Sequence, residues 1–242
     1  MCLKPENVTN VSKNNVIVRS EKPITLVGGG EIGPDDLNMT LNSANLLVAA
    51  DGGAHAVLAS GRMPDVVIGD FDSLQPGEMH QIPQERLFPI REQDTTDFDK
   101  ALRNVAAPLV FGVGFTGARV DHQLAVFSSM IRWRDRPCLI LGEREVIFHA
   151  PPWIRLPVEP GSVVSLFPMR RVTGRSEGLE WPIDGLVLEP DGMIGTSNRA
   201  LGEMVLEVDG PGLLVMVPRE ALGLVTQAFL TGQAGRWPAR AE

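Results

Sequence analysis

Short apolar runs at residues 24–27, 45–50, 66–68, 109–113 and 138–141 constrain this chain more than any other feature. Each is built largely of Val, Ile, Leu and Ala, which suits a strand buried on both faces. A further candidate lies at 86–88. Segments with helical character separate them, at 54–60, 96–105 and 121–133. In the second of these, Phe98, Ala101, Leu102 and Val105 share one face. Pro34 followed by Asp35 and Asp36 marks one more helix start. Strands alternating with helices predict an α/β fold, with a mostly parallel sheet flanked by helices.

Near residue 145 the period changes. Strand candidates at 145–150, 162–167, 185–189, 203–208 and 212–217 are short, and turn signals such as Glu159-Pro160-Gly161 and Pro190-Asp191-Gly192 separate them. This spacing predicts a smaller all-β sandwich. Residues 220–230 read as an amphipathic helix and 231–242 as a tail. Residues 1–20 read as loose, with an edge strand at 16–18. The expected organisation is an N-terminal extension (1–22), an α/β catalytic domain (23–144), a β-sandwich domain (145–219) and a C-terminal helix and tail (220–242).

Aspartates collect where these strands end or helices begin. Ile68-Gly69-Asp70-Phe71-Asp72-Ser73 follows one strand, and Asp51-Gly52-Gly53 follows another. Gln93-Asp94-Thr95-Thr96-Asp97 and Arg119-Val120-Asp121-His122 each open a helix. If residues 70–72 are extended, Asp70 and Asp72 point the same way. Two carboxylates that close resist ionising together, and a hard divalent cation such as Mg²⁺ removes the conflict. One such stretch would pass as an acidic turn in solvent. Four of them share one sheet edge in an open α/β fold, where ligands bind.

The formal net charge of −8 argues against a nucleic-acid partner, which calls for a basic face. No run of 18 apolar residues predicts a membrane span, and the start has no apolar signal core. Cys2 and Cys138 are the only cysteines, which fits a reduced, cytoplasmic setting.

Gly28, Gly30 and Gly33 match a dinucleotide-binding turn, with Asp51 where a ribose-binding acid belongs. An NAD(P)-dependent dehydrogenase is therefore one alternative. Pro34 sits awkwardly in that motif, and Asp70, Asp72, Asp97 and Asp121 go unexplained by it. No P-loop or protein-kinase signature is present. Asp94 reads as a helix cap, whereas Thr95 and Thr96 offer capping oxygens that free Asp97 for metal. Gly112, Gly114 and Gly117 form a loop that could cradle phosphate with Arg119, although Arg119 could equally pair with Asp121. Trp181 beside Ser197-Asn198 could stack a flat ligand, or could be core.

Together these pieces resemble the thiamin pyrophosphokinase family. The match rests on Ala50-Asp51-Gly52-Gly53-Ala54, Gly69-Asp70-Phe71-Asp72-Ser73, Gln93-Asp94-Thr95-Thr96-Asp97-Phe98, Arg119-Val120-Asp121-His122, Gly178-Leu179-Glu180-Trp181-Pro182 and Ser197-Asn198. The resemblance implies pyrophosphoryl transfer from Mg-ATP to the thiamin hydroxyl, giving thiamin diphosphate and AMP. It implies a homodimer that holds thiamin between subunits. It places Asp70, Asp72 and Asp97 at Mg²⁺, with Asp121 catalytic beside them. Asp51, Gln93, Thr96 and Arg119 fall around ATP, and Trp181, Ser197 and Asn198 around thiamin. A catalytically silent thiamin- or nucleotide-binding protein is the second alternative, which the intact acidic set fits poorly.

Overall fold

The computed structural model describes residues 16–240. Most of the expected N-terminal extension lies outside the described residues. By compactness the chain divides into two units, one ending at Val126 and one starting at Phe127.

The first unit contains strands β1 (Val18–Arg19), β2 (Ile24–Val27), β3 (Leu46–Ala50), β4 (Val66–Gly69), β5 (Leu87–Pro89), β6 (Val105–Ala106) and β7 (Val110–Val113). Helices α1 (Asp36–Leu41), α2 (Gly53–Ala59), α3 (Pro76–Met79) and α4 (Asp97–Arg103) lie between them, and α5 (Val120–Arg132) begins here. Strands β5, β4, β3, β2 and β7 lie side by side in that order, every neighbouring pair parallel. β1 and β6 pair separately, also in parallel. Every residue of β2, β4 and β7 is buried, as expected for strands covered on both faces. Each large aliphatic side chain so buried stabilises by about 1.5–3 kcal/mol. The order has a functional consequence. From β2 the chain steps outward through β3 and β4 to β5, then returns to place β7 on the other side of β2. The side on which successive strands are added reverses between β2 and β7, and in open α/β sheets ligands bind outside the carboxyl ends at such a point.

The second unit contains β8 (Cys138–Leu141), β9 (Glu145–His149), β10 (Trp153–Pro157), β11 (Val163–Pro168), β12 (Gly174–Leu179), β13 (Gly195–Val208), β14 (Leu213–Pro218) and α6 (Leu222–Leu230). Its pairings are antiparallel: β8 with β9, β9 with β14, β14 with β11, and β11 with β13. The 14 residues of β13 reach further. Its first half pairs with β11, whereas its second half pairs with β10 on one side and β12 on the other. One strand thus serves two sheets.

Several expectations require correction. Residues 70–72 are not extended, because Phe71 takes a left-handed φ of 65°. Residues 185–189 form no strand. Leu188 alone makes bridges, to Val172 and Met193, before the Pro190-Asp191-Gly192 turn. The stretch read as a tail is docked. Ala234 bridges Ile154, the Gly235 N–H donates to the Trp153 carbonyl, and the Arg155 N–H donates to the Gln233 carbonyl. Residues 233–235 therefore extend the sheet at β10.

Candidate active site

Asp51 organises the acidic cluster. It follows β3, is 1% exposed, and holds a left-handed φ of 41°. Its Oδ1 accepts the Phe71 N–H at 2.7 Å and its Oδ2 accepts the Ser73 N–H at 3.3 Å. These bonds turn the chain after β4 and place Asp70 and Asp72 beside it. Gly69 is required there, since a Cβ on it would lie 2.7 Å from the Asp51 Cβ. One carboxylate oxygen from each of Asp51, Asp70 and Asp72 falls within 4.8 Å of the others. Hard oxygen donors at that spacing fit a divalent cation such as Mg²⁺.

Three described non-glycine residues have positive φ: Asp51, Phe71 and Ser197. Such conformations cost on the order of 1–3 kcal/mol each and gather at functional sites. Two flank the acidic cluster, and the third lies among the residues expected near thiamin.

Lys100 joins the cluster from α4, and the sequence reading did not single it out. It is 2% exposed. Its Nζ donates to Asp70 Oδ2 at 3.0 Å and to Asp97 Oδ1 at 3.2 Å. Gln93 Nε2 adds a bond to Asp70 Oδ2 at 3.1 Å. Burial opposes the charge on Asp70, but the bonds and charge of Lys100 outweigh it and hold that carboxyl below its usual range. Asp97 goes the other way. Burial, aided by the negative charges of Asp51 and Asp70, raises its pKa despite Lys100. For Lys100 burial again works against the charge, yet the bonds to Asp70 and Asp97 raise its pKa. Its only mark in the sequence is its spacing, three residues after Asp97 and off the face of Phe98, Ala101, Leu102 and Val105.

Thr96 caps α4, its Oγ1 accepting the Asp99 N–H at 3.3 Å. Asp97 opens the helix, while Asp94 lies before it. A cleft of about 490 Å³ lies at the β2/β7 reversal. Thr96, Asp97, Arg119 and His122 line it together with the loops after β2 and β7. Those loops press together: a Cβ on Gly30 would lie 2.7 Å from the Gly114 carbonyl oxygen. The glycine spacing thus serves loop packing. The Asp51 carboxylate is held to the loop after β4, beside Asp70 and Asp72, an acidic grouping that the dinucleotide reading leaves unexplained.

Arg119 forms a two-bond pair with Asp121, at 3.1 and 2.5 Å, and both side chains are exposed at the cleft edge. His55, read from sequence as an ordinary histidine, lines the same cleft and pairs with Glu78.

In the second unit, Trp181 is 56% exposed and Asn198 is 4% exposed. Asn198 clamps the Trp181 backbone. Its Oδ1 accepts the Trp181 N–H at 3.2 Å, and its Nδ2 donates to the Trp181 carbonyl at 2.6 Å. Ser197 is exposed, and its N–H donates to Ser165 Oγ at 3.0 Å. Asn198 therefore presents an indole ring to solvent, with its own amide spent on the backbone.

Comparison with known proteins adds to this geometry. The family pattern "Thiamin pyrophosphokinase, catalytic domain" matches residues 37–141, and "Thiamin pyrophosphokinase, vitamin B1 binding domain" matches 154–211. Thiamin pyrophosphokinase 1 of Caenorhabditis elegans is 22% identical over 200 residues, covering 74% of this chain and 81% of its own. Thiamine pyrophosphokinase 3 of Oryza sativa subsp. japonica is 28% identical over 194 residues, covering 64% and 71%. Among solved structures, thiamine pyrophosphokinase from Bacillus subtilis superposes with a TM-score of 0.67 at 23% identity, over 81% of this chain and 98% of that one. Thiamin pyrophosphokinase from Candida albicans gives 0.70 at 14% identity, over 89% and 97%. At these identities the structural likeness speaks for the fold.

Proposed function

Because this chain belongs to the thiamin pyrophosphokinase family, we propose that it transfers pyrophosphate from Mg-ATP to the thiamin hydroxyl, giving thiamin diphosphate and AMP. The observation that carries this reading is the gathering of Asp51, Asp70 and Asp72 in the unit that holds the cleft at the sheet reversal. A volume of about 490 Å³ suits a nucleotide-sized ligand.

Asp51, Asp70 and Asp72 would hold Mg²⁺, which would neutralise the negative charge of the triphosphate. The loops after β2 and β7 would wall the triphosphate, with Thr96 beside them in the cleft and Gln93 bonded to Asp70. Arg119 carries the positive charge at the cleft edge. Attack by the thiamin hydroxyl forms the new oxygen–phosphorus bond at the β-phosphorus. The bond from that phosphorus to the α-side bridging oxygen breaks, and AMP leaves with the electron pair. Of the two carboxylates suited to take the hydroxyl proton, Asp72 and Asp97, it is Asp97 that lines the cleft, and its raised pKa favours proton acceptance. Asp97 was expected among the metal ligands, and we assign it this role instead. Asp121 orients Arg119 through their paired bonds.

Trp181 would stack the thiamin rings, with Ser197 and Asn198 shaping that surface. The α/β domain to about residue 144 would serve ATP and residues 145–219 thiamin. A cytoplasmic homodimer holding thiamin between subunits completes the reading, on the family resemblance. No helix among the described residues is long and apolar enough to cross a membrane.

Chromatography of nucleotides after incubation with thiamin and Mg-ATP tests the reaction. AMP with thiamin diphosphate is expected. ADP with thiamin monophosphate would assign the wrong bond. Binding of thiamin without turnover would favour the silent binder.

A further inference from the structure

Lys100 is more deeply buried than any cation needs to be for surface pairing. Its side chain is 3% exposed, and the partner carboxylates of Asp70 and Asp97 are 11% and 37% exposed. Thr96 and Asp97 of the same helix line the cleft, whereas Lys100 sits behind them. It is thus placed to meet carboxylates rather than phosphates. It occupies one oxygen of each, Asp70 Oδ2 and Asp97 Oδ1. Gln93 adds to the same Asp70 oxygen from the opposite segment. The Asn104 side chain in turn donates to the Lys100 carbonyl at 2.8 Å, which ties down the last turn of α4.

The acidic cluster needs such a partner. Asp51, Asp70 and Asp72 crowd within 4.8 Å, and like charges at that range push apart. A cation bound by the protein itself relieves this repulsion before any divalent ion arrives. We propose that Lys100 is a positioning residue: a resident cation that holds Asp70 beside Asp51 and Asp72 and anchors Asp97 at the cleft, so that the metal site is preformed in the ion-free enzyme. This rests on the reading of the acidic cluster as a divalent-ion site. Lys100 then acts through the carboxylates and touches neither nucleotide nor thiamin.

The test is thermal unfolding of the full chain with and without magnesium chloride, combined with steady-state kinetics, for Lys100→Met and Lys100→Arg. For Lys100→Met the ion-free midpoint should fall by about 10 °C. Magnesium chloride should raise that midpoint more than it raises the wild type's, because the ion takes over the lost charge. The kcat should fall about 100-fold while the KM for ATP holds. Lys100→Arg should keep most of the ion-free midpoint and still lose kcat, since the charge survives and its placement does not. Equal losses with and without the ion would reduce Lys100 to packing and overturn the proposal. So would a raised KM for ATP at unchanged kcat, which marks a phosphate ligand. If Lys100→Met fails to fold in both conditions, Lys100→Arg decides, and wild-type kcat in that variant overturns the proposal. A wild type that does not respond to magnesium, alone or with AMP, removes the metal site itself and this inference with it.

Discussion

The two units bury different kinds of polar group. In the first, the charged residues Asp36, Asp51, Asp99 and Lys100 are all less than 5% exposed. In the second, the described buried polar residues are neutral: Ser129, Ser176, Asn198 and Thr226. The neutral groups explain themselves through local structure. Ser176 Oγ accepts the Ile183 N–H, and Asn198 clamps Trp181. Buried charge has no such economy. An ion pair is often no better for stability than a well-packed apolar pair, and breaking it costs about 3–5 kcal/mol. Its presence at the carboxyl ends of β3 and β4 marks a region kept for chemistry, while the second unit uses polarity to hold shape.

The largest effect expected from this contrast is on turnover. Asp72 is exposed, and its Oδ1 accepts a bond from Ser73 Oγ at 3.0 Å. Asp72→Asn should lower kcat by about 100-fold or more, as loss of a charge that stabilises a transition state does. Its unfolding midpoint should stay within about 2 °C of wild type. Near-normal turnover in a steady-state assay would erase the distinction between the two units.

A sharper contrast lies in acid. Burial, with Arg134 and Arg170 nearby, pushes His149 down to about 4. Its Nε2 accepts the Gly212 N–H at 3.0 Å, which requires the neutral ring. The unfolded imidazole takes a proton near pH 6.5. The stability His149 contributes is therefore complete above that pH and is lost as pH falls towards 4, about 3 kcal/mol in all. His149→Gln should flatten this part of the stability–pH curve measured by denaturant unfolding. An unchanged curve would show that His149 does not govern the second unit's acid response.

Trp181→Ala comes next. It should raise the KM for thiamin about tenfold, equivalent to about 1–2 kcal/mol of stacking on a cationic ring, and leave the KM for ATP alone. Stability should hold, because Asn198 grips the backbone of residue 181 and not its ring. Equal changes in both KM values would remove the division of labour.

The smallest effect is on stability at Asp97. Its raised pKa means the folded chain holds that proton more tightly than the unfolded chain does. The group therefore weakens the fold as pH rises above the ordinary carboxyl range. Asp97→Asn should raise the midpoint of ion-free protein at pH 7 slightly and have no effect at pH 3. A lower midpoint at pH 7 would mean that the bond to Lys100 outweighs the cost of burial.

The sequence announced the first unit better than the second, for physical reasons. Strands covered on both faces are continuous apolar runs, so β2, β3, β4 and β7 were visible. Strand β12, Gly-Arg-Ser-Glu-Gly-Leu, is polar and paired mainly with β13, so its local pattern resembles a loop. Strand β10 alternates exposed and buried residues, but it follows Pro151 and Pro152 and ends in Pro157. Prolines so close to a short strand weaken its pattern. In the site, acids were legible because they follow strands. Their geometry was not. Asp51 entered the cluster through bonds to Phe71 and Ser73, and Phe71 left the extended region to make them. Lys100 looked like one more charged helix residue, since burial is a property of what α4 packs against.

The docking of residues 233–235 on β10 bears on how the chain is made. Until those residues leave the ribosome, β10 presents unpaired backbone groups beside Trp153, Ile154 and Leu156, a template on which another nascent chain can add. Trp237 then closes the stretch, its Nε1 donating to the Ala150 carbonyl at 2.8 Å. A message cut short after α6 would encode both candidate sites intact and still yield a product drawn towards aggregation during synthesis.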